Sequence, residues 1–166
     1  MTSVVRTILL VALGTLAACA SPAAPAPSGS PAATPSPAPS GGGPLVTVQL
    51  RGGECFAAPC GMTVVLERDG RVHQAAKPPN NLGTVPAGPL RDLATLVATA
   101  DYASIRSHPF TGQCPTAVDG QEVVYEFGAP GGTERIATCE VAVDFGQPLF
   151  VAVSTALGPF IPLPTT

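Results

Sequence analysis

The hydrophobic period of the chain changes several times, and each change marks an element. Leu45-Val46-Thr47-Val48-Gln49-Leu50 alternates apolar and polar side chains, predicting a half-buried first strand that Arg51-Gly52-Gly53 ends. Residues 62–67 and 71–76 flank Asp69-Gly70, a dipeptide that favours a two-residue type I′ turn, so a hairpin is expected with His73 facing Leu66. Residues 77–83, with two prolines and two asparagines, read as a loop. The period then becomes helical over residues 86–100. Leu90, Leu93, Leu96, Val97 and Ala100 share one side, Arg91 and Asp92 lie on the other, and Pro86 and Pro89 suit a helix start. Tyr102 and Ile105 carry two further apolar anchors out of that helix. After a turn-rich stretch, residues 107–120, alternation returns twice. Residues 121–127 put Val123, Tyr125 and Phe127 on one face. Residues 133–145 put Ala137, Cys139, Val141 and Val143 on a core face, and Ala129-Pro130-Gly131-Gly132 turns the chain between them. Phe150-Val151-Ala152-Val153 has strand propensity, but Pro148 before it and Gly158 after it predict a helix. The expected fold is α+β, an antiparallel β-sheet with two helices on one face in the order β-β-β-α-β-β-α, stapled by disulfides.

The first 44 residues have a different character. Arg6 supplies a positive charge, Ile8-Leu9-Leu10-Val11-Ala12-Leu13 an apolar run too short to span a bilayer, and small residues precede Cys19. The order Leu16-Ala17-Ala18-Cys19 resembles the lipobox of bacterial lipoproteins. That resemblance implies a signal peptide over residues 1–18 and lipidation of Cys19. Two acyl chains suffice for stable anchoring, each buried methylene adding about 0.8 kcal/mol. Residues 20–44 contain only Pro, Ala, Ser, Gly and Thr34. Such a segment cannot bury enough surface to offset its ordering entropy and is expected to stay disordered. Its prolines bias it toward polyproline II, with a reach of roughly 75 Å at about 3.1 Å per residue. The organisation expected is therefore a leader, a lipidated stalk over residues 19–44 and one domain over residues 45–166. The location expected is the extracytoplasmic face of the cell membrane.

Charge and cysteines refine this picture. Without Arg6, seven basic and eleven acidic residues leave the chain at −4, which argues against a nucleic-acid partner. Tryptophan is absent and aromatics are few, which weakens carbohydrate stacking. Apart from Cys19 there are four cysteines, Cys55, Cys60, Cys114 and Cys139, and export makes pairing the default. Three connectivities are possible. Nearest-neighbour pairing, Cys55–Cys60 and Cys114–Cys139, is favoured over a four-cysteine zinc site, for which no Cys-x-x-Cys spacing exists.

No Gly-x-Ser-x-Gly elbow or Ser-x-x-Lys motif supplies a nucleophile, and no catalytic residue, metal ligand or cofactor is assigned. His73, on the hairpin, and His108, before Pro109, are the two candidate bases of an alternative reading as an extracytoplasmic hydrolase; neither has metal-binding spacing. If Phe127 pairs with Thr133, Glu126 faces Glu134, with Glu122 and Glu140 farther along the same solvated surface. The densest stretch runs from Pro109 to Glu122. There Phe110, Thr111, Gln113, Asp119 and Glu122 surround Cys114 as a possible binding loop.

That stretch, with Gly52-Gly53-Glu54-Cys55, resembles uncharacterised exported lipoproteins of high-GC Gram-positive bacteria, a likeness that implies location and architecture and brings no activity. A second resemblance covers most of residues 45–157. A strand, Gly52-Gly53, a hairpin, Leu90-x-x-Leu93-x-x-Leu96-x-x-x-Ala100-Asp101-Tyr102-x-x-Ile105, two strands and a terminal helix look like emfourin, a family of proteinaceous inhibitors of thermolysin-type metallopeptidases. The chain departs from it in its four cysteines, the Cys114 loop, the anchor, and Glu54 where the family carries an aromatic, so no inhibitory residue is transferred. The resulting expectation is a monomeric, non-catalytic surface domain that binds a protein or peptide partner, with protease inhibition as one form of it. A structural envelope lipoprotein is the duller alternative.

Overall fold

Six antiparallel strands form one sheet in the order β4-β3-β2-β1-β5-β6. In chain order the elements are β1 (Val46–Gly52), β2 (Gly61–Leu66), β3 (Arg71–Gln74), β4 (Asn80–Thr84), α1 (Ala87–Thr99) and α2 (Tyr102–Arg106). A 3-10 turn (Pro115–Val118), β5 (Gln121–Ala129), β6 (Gly132–Ala137) and α3 (Pro148–Leu157) complete them. This computed structural model describes residues 43–53 and 60–164. The leader, Cys19, almost all of the proline-rich stalk and Cys55 lie outside the described residues.

Alternation decides which face of the sheet is covered. Val46, Val48 and Leu50 of β1 stand beside Leu66, Val64 and Met62 of β2 and beside Phe127, Tyr125 and Val123 of β5. Together they form the core with Leu93 and Val97 of α1 and Leu149, Phe150, Val153, Ala156 and Leu157 of α3. The α+β class and the helices on one face are as expected, and the tail is helical, with Pro148 in its first turn. Aromatic rings join the layers. Tyr125 meets Phe150 edge-on at 5.3 Å between centroids, Phe127 lies 5.6 Å from Tyr102, and Phe145 reaches Phe150 at 6.2 Å.

Both hairpins depart from expectation by one residue. Glu67 pairs with Arg71 through Glu67 N–H to the Arg71 carbonyl at 2.8 Å, making a three-residue loop in which Gly70 has φ +90°. A two-residue turn on Asp69-Gly70 would have set His73 against Leu66. The longer loop puts Val72 there and His73 opposite Val65, on the face away from the core. In the second hairpin Ala129 pairs with Gly132 around Pro130-Gly131, so Phe127 faces Glu134 and Glu126 faces Arg135. The expected row of facing carboxylates is therefore not formed. Glu134 binds Arg106 at 2.5 Å, and Glu140 takes Arg135 through both oxygens at 2.8–2.9 Å.

Three further differences have local causes. Residues 80–84 are a strand, not a loop. An edge strand needs pairing on one side only, so Asn80-Asn81 and Gly83 are tolerated there, with a register shift between Val72 and His73. Asp101 accepts from Ser104 N–H at 2.9 Å and starts a separate short helix that buries Tyr102 and Ile105. Finally, β6 stops at Ala137 instead of running on to Phe145. Ile136 is its fully buried core residue, while Ala137 is buried beside Val124 outside the main core cluster.

Burial pushes both phenols, Tyr102 and Tyr125, well above their ordinary value of about 10, with Glu134 adding to the effect at Tyr102. Each phenol then stays neutral in the folded chain at a pH where the unfolded chain has already ionised. The unfolded state binds fewer protons there, so stability present below about pH 10 falls as the pH rises past it. With two tyrosines and no tryptophan, alkaline titration is expected to release tyrosinate absorbance in one step, together with loss of far-ultraviolet circular dichroism. Either tyrosine ionising while the fold persists would contradict this burial.

Candidate functional site

Among the described residues, an apolar concavity lies where the chain leaves the sheet. β6 ends because Thr138 turns its hydroxyl to accept Val123 N–H at 3.0 Å, while Thr138 N–H donates to the Val123 carbonyl at 3.0 Å. Glu140 and Val141 N–H both close on the Ala137 carbonyl at 2.9 Å. Beyond this tight turn, residues 140–142 run beside residues 108–110. Phe110 N–H donates to the Glu140 carbonyl at 3.0 Å and Ala142 N–H to the His108 carbonyl at 2.8 Å, bracketing a Pro109–Val141 bridge. Cys114–Cys139 ties the two segments covalently across 5.1 Å between Cα atoms, as the nearest-neighbour pairing predicts. Cys60 is also disulfide-bonded, and its expected partner Cys55 lies outside the described residues.

Between these segments lies a groove of about 520 Å³. Its walls are Phe110, Pro115, Val123, Val141, Val143, Phe145 and Pro164, with Gln121, Thr138 and Asp144 as its side-chain polar groups. The volume falls within the roughly 300–1,000 Å³ usual for ligand sites. Close backbone approaches hold the surroundings. A Cβ on Gly52, at φ +75°, would come within 2.7 Å of Thr116 Cγ2 and 2.8 Å of the Gly120 carbonyl, so the 3-10 turn lies directly against the end of β1. Asp119 takes the left-handed conformation (φ 61°) that lets Gly120 N–H return to the Pro115 carbonyl at 2.8 Å.

Of the loop residues expected to bind, Phe110 alone lines the groove. Thr111 and Gln113 are exposed beside it, Asp119 ends the 3-10 turn, and Glu122 lies on β5 opposite Arg51. The alternation of residues 133–145 predicts Val141 and Val143 on the core face of a long strand ending at Phe145. Their alternation was the right signal attached to the wrong neighbour. Nothing in the sequence marks Pro164.

The two histidines do not meet. His73 Nε2 bonds Glu67 Oε1 at 3.0 Å, and its Nδ1 is buried with no partner among the described residues. His108 is exposed, its Nδ1 turned to the Ser104 carbonyl at 3.0 Å. Neither lines the groove. Among the described residues no three His, Cys, Asp or Glu side chains group to hold a metal ion, and no helix is long and apolar enough to cross a membrane.

No protein-family model matches the chain, and no curated protein or solved structure does so either.

The disulfide closes a loop of about 26 residues, for which chain entropy alone gives roughly 3–4 kcal/mol. A Cys114→Ser/Cys139→Ser double variant is expected to lose about that much in urea unfolding. Its amide exchange should accelerate at residues 108–118 and 138–145 before it does so in β1 and β5. A uniform acceleration would show that the staple supports the whole fold and not the groove.

Proposed function

We propose that this chain is a lipid-anchored, non-catalytic domain that binds a protein or peptide at the outer face of the cell membrane. The observation that carries this reading is the apolar groove between the Phe110–Cys114 segment and residues 138–145, held open by a disulfide and backed by the core aromatic Phe150 through Phe145. Loops pinned on a firm scaffold are where binding surfaces concentrate. Anchoring rests on Leu16-Ala17-Ala18-Cys19 and the proline-rich stalk.

The position of the groove suits such a tether. The chain enters the domain at Pro44, next to Val46 and Phe127, whereas Val123 and Gln121 of the groove stand beside Leu50 and Gly52 at the other end of β1. Seven residues at about 3.3 Å each separate the two ends by roughly 20 Å, so a stalk attached at one end leaves the groove at the far end. Protease inhibition is one form of this function. The hydrolase alternative draws no support from His73 or His108, which are engaged by Glu67 and by the Ser104 carbonyl, six and four residues away in sequence.

Two measurements test the reading. A fatty-acid label supplied to cells making the full chain should appear on it and be lost with Cys19→Ser, which should also release the protein from membranes. Cross-linking from a photoreactive group at Gln113 should capture a saturable partner in envelope preparations, and excess unlabelled chain should compete it away. A chain that takes no lipid overturns the anchoring. Absence of any competable partner overturns the binding role.

A further inference from the structure

The segment that walls the groove carries unused backbone groups as well as apolar side chains, and that backbone points to one kind of occupant. From Val141 to Phe145 exposure alternates, Val141 being buried, Val143 and Phe145 half-buried, and Ala142 and Asp144 exposed. One edge of this extended segment is used, by Ala142 N–H and the Glu140 carbonyl against residues 108–110. On the other edge the Val141 carbonyl and both the N–H and the carbonyl of Val143 have no hydrogen-bond partner among the described residues. A small apolar ligand would fill the groove and leave these three groups as they are. An extended peptide chain satisfies them, because a residue opposite Val143 in an antiparallel pair exchanges both hydrogen bonds with it.

Resting on the binding reading above, we infer that the groove takes an extended peptide segment that adds as a strand along Val141–Asp144. Its apolar side chains, at alternate positions, enter the pocket between Phe110, Val123 and Phe145. Its outward side chain beside Asp144 is cationic. Asp144 is the charged group of the groove, and its Oδ1 is already committed to Gly146 N–H at 2.9 Å, which leaves the other carboxylate oxygen for a lysine or arginine. The acidic balance of the chain acts in the same direction.

The probes are N-acetylated, C-amidated heptapeptides that alternate valine or phenylalanine with lysine, a matched set with glutamate for lysine, and the lysine set N-methylated at single backbone amides. Each is titrated into the isotope-labelled full chain carrying Cys19→Ser. The lysine peptides are expected to bind saturably, with the largest amide shifts at Val143, Asp144 and Phe110. Methylating the one peptide amide that donates to Val143 should weaken binding about tenfold or more, since it removes a bond and leaves the Val143 carbonyl unpaired. Asp144→Asn keeps the bond to Gly146 N–H and should reduce the preference for lysine over glutamate by about threefold or more. Val143→Pro removes the N–H donor and should abolish the shifts. The methylated peptides carry the same test on the unaltered chain.

No binding of the lysine set, or binding indifferent to every methylation, overturns strand addition. So do shifts that map away from residues 141–145. Shifts at Val143 that grow with protein concentration in the absence of peptide assign the groove to a second copy of the chain and also overturn it. If peptides fail while a competable partner is still captured through Gln113, strand addition falls and the binding role stands; failure of both removes the two together.

Discussion

Val123, Tyr125 and Phe127 are buried at 5%, 2% and 0% exposure, and the placing of this one stripe constrains nearly everything else. Side chains alternate along a strand, so fixing the stripe under α1 and α3 fixes the orientation of β5, and through pairing that of β1 and β6. A slip by one residue would bring Glu122, Val124 and Glu126 inward and expose two aromatic rings. Fully burying a side chain of this size is worth roughly 1.5–3 kcal/mol, so three together outweigh any single turn or ion pair in the domain. The aromatic contacts of Phe127 and Tyr125 with Tyr102 and Phe150 then set how α2 and α3 sit on the sheet.

Period was legible in the chain, and register was not. Leu90, Leu93, Leu96 and Val97 announced α1 because a 3.6-residue repeat needs no partner to be recognised, and the two alternating runs of β1 and β5 were equally plain. Where two strands meet, the outcome depends on the turn, and one residue in the loop moves every side chain opposite. Asp69-Gly70 promised a two-residue turn, yet the pairing of Glu67 with Arg71 includes Arg68 in the loop, and His73 moves from Leu66 to Val65. Arg68 has a reason to be there: its guanidinium donates to the Gly128 carbonyl at 2.6 Å, a contact between residues 60 apart that no local rule contains. The same one-residue offset turned an expected carboxylate row into Glu126 opposite Arg135, with Glu134 on Arg106.

The candidate site was half legible for a related reason. Cys114 and Phe110 drew attention as residues of a loop dense in turn formers. The other wall, Val141, Val143 and Phe145, was hidden inside an alternation that looked like the continuation of β6. Alternation reports extended backbone and says nothing about whether that backbone still has a sheet beside it. Here Thr138 caps the β5 edge with its side chain, the chain turns on the Ala137 carbonyl, and the extended segment that follows pairs with residues 108–110.

Leaving the sheet early has a consequence that a longer β6 could not have. Continued pairing with β5 would carry residues 138–140 along Val123, Glu122 and Gln121 as ordinary ladder partners and would close the space above Val123. Departure at Thr138 instead opens the groove and lifts Val143 clear of any partner among the described residues. The Cys114–Cys139 bond sits at that point of departure, which accounts for its place better than general stability does. The core of β1, β2 and β5 with α1 and α3 is already continuous without it, whereas the segments it joins are short, irregular and held by two backbone bonds. A staple at this position keeps the unpaired backbone of Val143 and the half-buried walls of the groove in one arrangement, which an unsupported loop would not do.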